Sequence, residues 1–366
     1  MLATSYEGQR GATEVDADRL RRQGHEVDVV RIEVRRARPG GRPWERVPGF
    51  LANGLTALRA AASRKRYDRI LVDTSPPLAF AALVPRAKLC GEELVLQHYD
   101  LFPENVTAFG ISFPRPALRA LGAATHWLAR WADVHETLSP AMAAALAEAL
   151  GPGTRIRVTP LAPPPGIGPI PRGENIWLRE HGLEDRFVVM YAGNLGRAYD
   201  FAPMLEAARE LASPSVPLPR PTPSVPLPIR EGEASVISPD QSSCSPSPVG
   251  KGAGDGSSRE IAFVFVGAGF QEDVIRAAAK RHRNVVLFPP VDDARLSELL
   301  SAGDVHVVPL KKGADRVMWP HKVDAIRAAG RPVLAVGWGE GVEGVQVVPA
   351  ERLAEEITRR AELAQG

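Results

Sequence analysis

Cysteine is nearly missing from this chain. Cys90 and Cys244 are the two present in 366 residues, too few for a disulfide framework or a zinc site, so a reducing compartment is expected. Net charge is nearly missing too. The 45 basic and 43 acidic residues leave +2, and such a balance makes no global field to draw in nucleic acid. No run of about 18 apolar residues occurs, so no transmembrane helix is expected. Met1 to Tyr6 lack the apolar core of a signal peptide. The expectation is a cytoplasmic protein, peripheral at most to the inner face of a membrane. Aromatic residues are few, at 6%, but hydrophobic residues reach 44%, enough for two cores. A chain of this length suits two domains.

Strand and helix signals alternate along both halves. In the first half, residues 26–32, 69–73 and 94–98 read as strands. Residues 15–23, 50–63, 78–89, 117–131 and 141–150 read as helices. The run Arg69-Ile70-Leu71-Val72-Asp73 is short and continuously apolar, the mark of a strand covered on both faces. In the second half, 187–192, 261–266, 285–288, 305–309 and 332–336 read as strands. Helices are expected at 201–211, 271–281, 294–301 and 322–329. Such alternation predicts parallel sheets with helices on both faces. Residues 155–171 are Pro- and Gly-rich and read as the start of a semi-rigid interdomain linker. The expected division is an N-terminal domain at 1–160, a linker at 161–186, a C-terminal domain at 187–350 and a C-terminal helix at 351–366. Residues 213–258 break the pattern. They are rich in proline and serine, lack Phe, Trp and Tyr, and repeat Ser-Val-Pro-Leu-Pro. That text cannot pack a core and reads as a disordered surface insertion.

Chemistry gathers at glycine turns. Tyr191-Ala192-Gly193-Asn194-Leu195-Gly196-Arg197 follows a strand and precedes a helix. Glycines there let a ligand approach the backbone. The next helix N-terminus offers free N–H groups to a diphosphate, and Arg197 adds a cation. Val266-Gly267-Ala268-Gly269-Phe270 repeats the arrangement. Met318-Trp319-Pro320-His321-Lys322 sets Lys322 in the first turn of a helix, where a cation opposes the macrodipole unless an anion binds. Three turns on one edge of a parallel sheet strengthen each other, because ligands bind outside the carboxyl ends of the strands. Ser139 lacks a G-x-S-x-G frame and reads as a helix N-cap. Trp127 and Trp131 share a helix face, read as buried, and His98 reads as structural. The basic run at 31–46 reads as a solvated loop or a contact for anionic lipid headgroups.

These stretches, in this order, resemble the family 4 glycosyltransferases of GT-B fold: Y-A-G-N-L-G-R, F-V-F-V-G-A-G, N-V-V-L-F-P-P-V, L-L-S-A-G-D-V-H-V-V-P-L and P-H-K-V-D-A-I-R-A-A-G-R-P-V-L-A in the second half. G-H-E-V-D-V-V, D-T-S-P-P, Y-D-L-F-P-E-N and A-D-V-H-E-T-L-S-P-A-M match in the first. The subgroup resembled is bacterial and builds O-antigen, capsule or colanic-acid sugars at the cell envelope. The resemblance implies two Rossmann-like, doubly wound α/β domains facing a cleft. It implies a retaining transfer of sugar from a nucleotide-diphosphate donor, a UDP-sugar by family habit, to a glycan or polyprenyl-linked acceptor, with no metal or other cofactor. It assigns the donor to Gly193, Asn194, Gly196, Arg197, Gly267, Gly269, Pro290 and Lys322. It assigns the acceptor side to Asp100 and Glu104, with Asp100 orienting or deprotonating the acceptor hydroxyl. Val317 and Ala325 stand where the wider family has paired glutamates. The first strand is expected to be cut short, which would weaken the acceptor sheet and put activity in doubt. Two other readings stay open: a degenerate, non-catalytic GT-B protein that binds a nucleotide sugar or a partner enzyme, and a sugar-nucleotide epimerase of similar fold.

Overall fold

The computed structural model of the chain describes residues 2–6, 17, 21–32, 58–59, 61–74, 79–212 and 259–364. The insertion at 213–258, most of the helices expected at 15–23 and 50–63, and most of the basic run at 31–46 lie outside the described residues. In the first half β1 (Leu2–Tyr6), β2 (Asp28–Ile32) and β3 (Arg69–Asp73) are followed by α1 (Leu83–Cys90) and β4 (Glu93–His98). Then come α2 (Glu104–Ala108), α3 (Arg115–Ala129), β5 (Val134–Thr137), α4 (Pro140–Leu150) and β6 (Ile156–Val158). The strands form one parallel sheet in the order β2-β1-β3-β4-β5-β6. β1 pairs with β2 from Leu2 to Tyr6 and with β3 through Leu2 and Ala3, so the strand expected to be cut short takes part on both sides.

The second half runs α5 (Ile176–Glu180), β7 (Arg186–Ala192), α6 (Ala202–Glu210), β8 (Glu260–Val266), α7 (Glu272–Arg281) and β9 (Val285–Phe288). It continues with α8 (Leu296–Ala302), β10 (Val305–Pro309), α9 (Lys322–Ala328), β11 (Val333–Val336), β12 (Val345–Val347) and α10 (Leu353–Leu363). Its parallel sheet has the order β12-β11-β10-β7-β8-β9. Strand order reverses between β10 and β7, the switch point where open α/β sheets bind ligands. Continuous apolar runs explain the strands. In β7 and β8 nearly every side chain is buried, because helices cover both faces. Trp177, Phe187, Tyr191, Phe201, Phe263 and Phe265 fill this core, and Ile70, Phe80, Leu83, Leu94 and Leu96 fill the first.

Two features differ from the sequence reading, and the stretch read as a semi-rigid linker, 161–186, gains contacts. Arg172 makes a two-pronged ion pair with Asp304 at 2.8 Å, and Asn175 caps α5 and donates to the Glu298 carbonyl, so this stretch is fixed to the second sheet. β6 forms inside the Pro- and Gly-rich run because Ile156 to Val158 pair with His135 to Thr137. Trp127 and Trp131 are not buried; they are 58% and 48% exposed. Trp127 lies on α3, which packs through Gly122, Thr125 and Ala129 instead, and Trp131 lies in the turn past its end. By contrast, Ser139 does cap α4, accepting from Met142 N at 3.2 Å. His98 is buried with its Nε2 3.0 Å from His135 Nδ1, a structural pair whose protonation burial disfavours in both rings.

Candidate functional site

The loops after β7, β8 and β10 are stitched together at the carboxyl edge of the second sheet. Gly193 N donates to Val266 O (2.8 Å) and Leu195 N to Ala268 O (3.0 Å). The Gln271 amide donates to the carbonyls of Gly196 (2.7 Å) and Tyr199 (2.9 Å). Lys311 N donates to Ala198 O and Asp200 N to Pro309 O. Gly193 has φ +124°, Gly267 +147° and Gly269 +152°, all in the region that favours glycine. The first two face each other: a Cβ on Gly267 would overlap the Gly193 carbonyl oxygen. Gly267→Ala therefore requires the β7 loop to move. The expected cost is about 2–4 kcal/mol, from strain plus overlap. Thermal melting of the variant against wild type measures it, and an unchanged melting temperature would overturn the tight-turn account. A Cβ on Gly269 would come within 2.5 Å of Asn194 Oδ1, and one on Gly196 within 3.2 Å of the Asn194 amide nitrogen. The Asn194 side chain thus lies between these two turns.

Lys322 is the first residue of α9. Its Nζ is buried and makes no hydrogen bond. It lies over the ring of Tyr191 at 3.7 Å and of Tyr199 at 4.5 Å. A Cβ on Gly193 would sit 2.9 Å from it, so the ammonium lies directly behind the glycine turn. Burial holds its pKa well below the usual 10.5. The two rings meet edge to face at 5.3 Å, and Tyr191 Oη donates to Asn194 O at 2.6 Å. Two aromatic faces are a favourable seat for a cation that lacks a counter-charge.

Asp100 reaches this same place from the first half. It bridges Met318 in antiparallel fashion, and Leu101 N donates to Val317 O at 2.7 Å. Burial pushes the Asp100 carboxyl up to about 6. Burial also pushes the Tyr199 phenol up to about 12, with the Asp100 charge adding to the rise. Asp100, Tyr199 and Lys322 therefore form one neighbourhood across the two halves. The Tyr99 ring lies 5.9 Å from that of His321, and Lys311 Nζ donates to Phe109 O at 3.1 Å, so the halves also meet beside it.

Other expected residues are arranged differently. Glu104 does not join Asp100 in these contacts. It opens α2 and pairs with His126 Nε2 of α3 at 3.0 Å, lining a cavity in the first half with His98, Thr74 and Thr125. The N-terminus of α6 does not directly follow the glycine turn, and Asp200 Oδ1 already accepts from Ala202 N at 3.1 Å. Arg197 is exposed and parked over the Phe270 ring at 3.4 Å. Pro290 is exposed just past β9 on the same sheet edge. Sequence reasoning missed Tyr199 and Gln271, which carry no motif of their own. Among the described residues no three His, Cys, Asp or Glu side chains come together as a metal-binding group.

Residues 7–162 match the glycosyl transferase 4-like domain family. Solved structures match the whole chain. HepE from Anabaena, in complex with UDP and glucose, is 17% identical with a TM-score of 0.59. Sucrose-phosphate synthase from Thermosynechococcus elongatus is 16% identical with a TM-score of 0.65. WaaG, a glycosyltransferase involved in lipopolysaccharide biosynthesis, is 15% identical with a TM-score of 0.56. Each alignment covers 100% of this chain and 90% of the other. The chain has the GT-B fold, and its first half matches the glycosyl transferase 4-like domain. No curated protein matches the chain in sequence. Its two sheets correspond to the two GT-B halves, and no helix among its described residues is long and apolar enough to cross a membrane.

Proposed function

We propose that this protein is a glycosyltransferase that moves a sugar, with retention at the anomeric carbon, from a UDP-sugar to a glycan or polyprenyl-linked acceptor of a bacterial cell-surface polysaccharide. The observation that carries this reading is the buried Lys322 ammonium, without a hydrogen-bond partner, behind the Gly193 turn, with Asp100 of the other half near the Tyr199 that it overlies. A diphosphate at the carboxyl edge of β7 and β8 meets backbone N–H groups, Lys322 and, once it swings off Phe270, Arg197. Their positive charge stabilises the leaving diphosphate without calling on a metal. Asp100 orients the acceptor hydroxyl and takes its proton as the new bond forms on the face the diphosphate leaves. Asp100, rather than Glu104, is the candidate base, because Glu104 is engaged with His126. HepE is seen in complex with UDP and glucose and with UDP-glucose, which favours uridine over guanosine for the donor.

The test is a thermal-shift titration with UDP, GDP and their sugars. A ligand that binds only the folded state raises the melting temperature with concentration, by about 2.7 kcal/mol of stabilisation at a hundred times Kd. UDP is expected to give this shift, and chelator to leave it unchanged. No shift with any nucleotide would sink the donor-site assignment and favour the degenerate reading.

A further inference from the structure

We propose that the Phe270 ring is the platform on which the donor's nucleobase stacks, and that the Arg197 guanidinium occupies that platform until a nucleotide arrives. This deepens the donor-site reading above and rests on it. The guanidinium carbon of Arg197 lies 3.4 Å from the centre of the Phe270 ring. Among the described residues Arg197 has no ion pair and no hydrogen bond. Phe270 is 63% exposed. An exposed phenylalanine by itself is ordinary. What marks this one is where it stands and which side chain covers it.

The backbone beneath the ring is fixed. Gln271 N donates to Leu195 O at 2.9 Å and Glu272 N to Gly269 O at 3.1 Å. The Gln271 amide holds the carbonyls of Gly196 and Tyr199, on either side of Arg197. Gly267 N donates to Phe288 O at 3.0 Å, which ties the same turn to the end of β9. In the sheet β8 lies between β7 and β9. The turn carrying Phe270 therefore stands between the loop of Gly193 and Arg197 and the exposed Pro290 past β9. A nucleotide with its diphosphate at the first and its base toward the second crosses this turn. Guanidinium and nucleobase are both flat, and both stack on an aromatic face, so one face of the ring seats either but not both. When a diphosphate draws Arg197 away, that face is uncovered and the base covers it. Pyrophosphate alone leaves the ring bare. A nucleoside alone must displace a cation that then has no counter-charge. A nucleotide meets both needs at once, so its two parts favour each other's binding. Stacking is tolerant of which base is offered, so Phe270 supplies affinity for a nucleoside diphosphate rather than choice among bases.

The measurement is calorimetric titration of the full chain with UDP and with inorganic pyrophosphate, for wild type, Phe270→Ala, Phe270→Tyr and Arg197→Ala. The ratio of the two affinities isolates the nucleoside, because the diphosphate is common to both. Phe270→Ala is expected to lower that ratio about tenfold, the weight of one base–aromatic stack. Its UDP affinity falls, while its pyrophosphate affinity rises about twofold because Arg197 has no ring to leave. Phe270→Tyr is expected to keep the ratio. Arg197→Ala is expected to weaken pyrophosphate more than UDP, since the base then finds the ring free, so the ratio rises. Melting temperatures are expected to match wild type for Phe270→Ala, since the side chain is largely exposed. The proposal is overturned if Phe270→Ala binds UDP as wild type does. It is also overturned if that variant loses pyrophosphate as much as UDP, because the ring then serves only to support Arg197. A wild type that binds pyrophosphate as tightly as UDP overturns it while the diphosphate site stands. A wild type that binds neither removes both this platform and the donor-site reading.

Discussion

Lys322→Met is expected to lose about 10²–10³-fold in kcat/KM, the usual loss on removing one charge-stabilising group from an acyl- or phosphoryl-type site, while gaining about 1 kcal/mol of stability without ligand. The two signs are opposite for one reason. With no diphosphate present, the ammonium is buried with no hydrogen-bond partner and two tyrosine rings for company. Burial depresses its pKa from 10.5, so between the folded value and 10.5 the unfolded chain holds a proton the native chain has released. Wild-type stability therefore rises with pH across that window. The advantage of the methionine variant is full below the folded value and vanishes toward 10.5. Steady-state kinetics with a UDP-sugar and melting curves across pH measure the two effects. A variant that keeps full kcat/KM would remove Lys322 from the donor site, whatever its stability.

Asp100→Asn is expected to lower kcat by about a hundredfold and to erase an acid limb in the rate profile. Wild-type activity should rise through pH 6, where burial places the Asp100 carboxyl, as the carboxylate becomes able to accept a proton. The stability sign follows separately. A carboxyl raised above its usual 3.8 contributes stability that is full below that value and is lost as pH rises through about 6. Asparagine does not ionise, so the variant should melt higher than wild type above pH 6 and equally near pH 4. An asparagine variant with an intact acid limb would assign that limb to another group. Glu104→Gln serves as the comparison. It breaks the pair with His126 and should cost stability in the first half more than turnover.

Much of this was readable in the residues. The strands at Arg69–Asp73, Val285–Phe288 and Val305–Pro309 have the bounds read from the sequence, because helices cover both faces and favour short, mostly apolar runs. The helix at Lys322 and the cap at Ser139 were readable from local chemistry. Trp127 on α3 and Trp131 in the turn past it were misread. Spacing says that Trp127 and Trp131 share a face, but it does not say whether that face meets the sheet. Gly122, Thr125 and Ala129 pack closely inward, and the large side chains were left outside.

The sequence by itself determined two parallel α/β halves, the glycine turns after β7 and β8, and Lys322 at the start of α9. Each of these follows from periodicity, from glycine's access to positive φ, or from a local run of residues. Tertiary structure alone decided which distant groups meet. It set Tyr199 under Lys322 and brought Asp100 across to Met318, while turning Glu104 to His126. No local signal encodes those pairings: Asp100 with Met318 depends on how the two sheets are docked, and the other two on packing within one half. The burial of Lys322 comes from packing within the second half and the raised carboxyl of Asp100 from its place where the halves meet, and each needs walls supplied by residues far away in the chain.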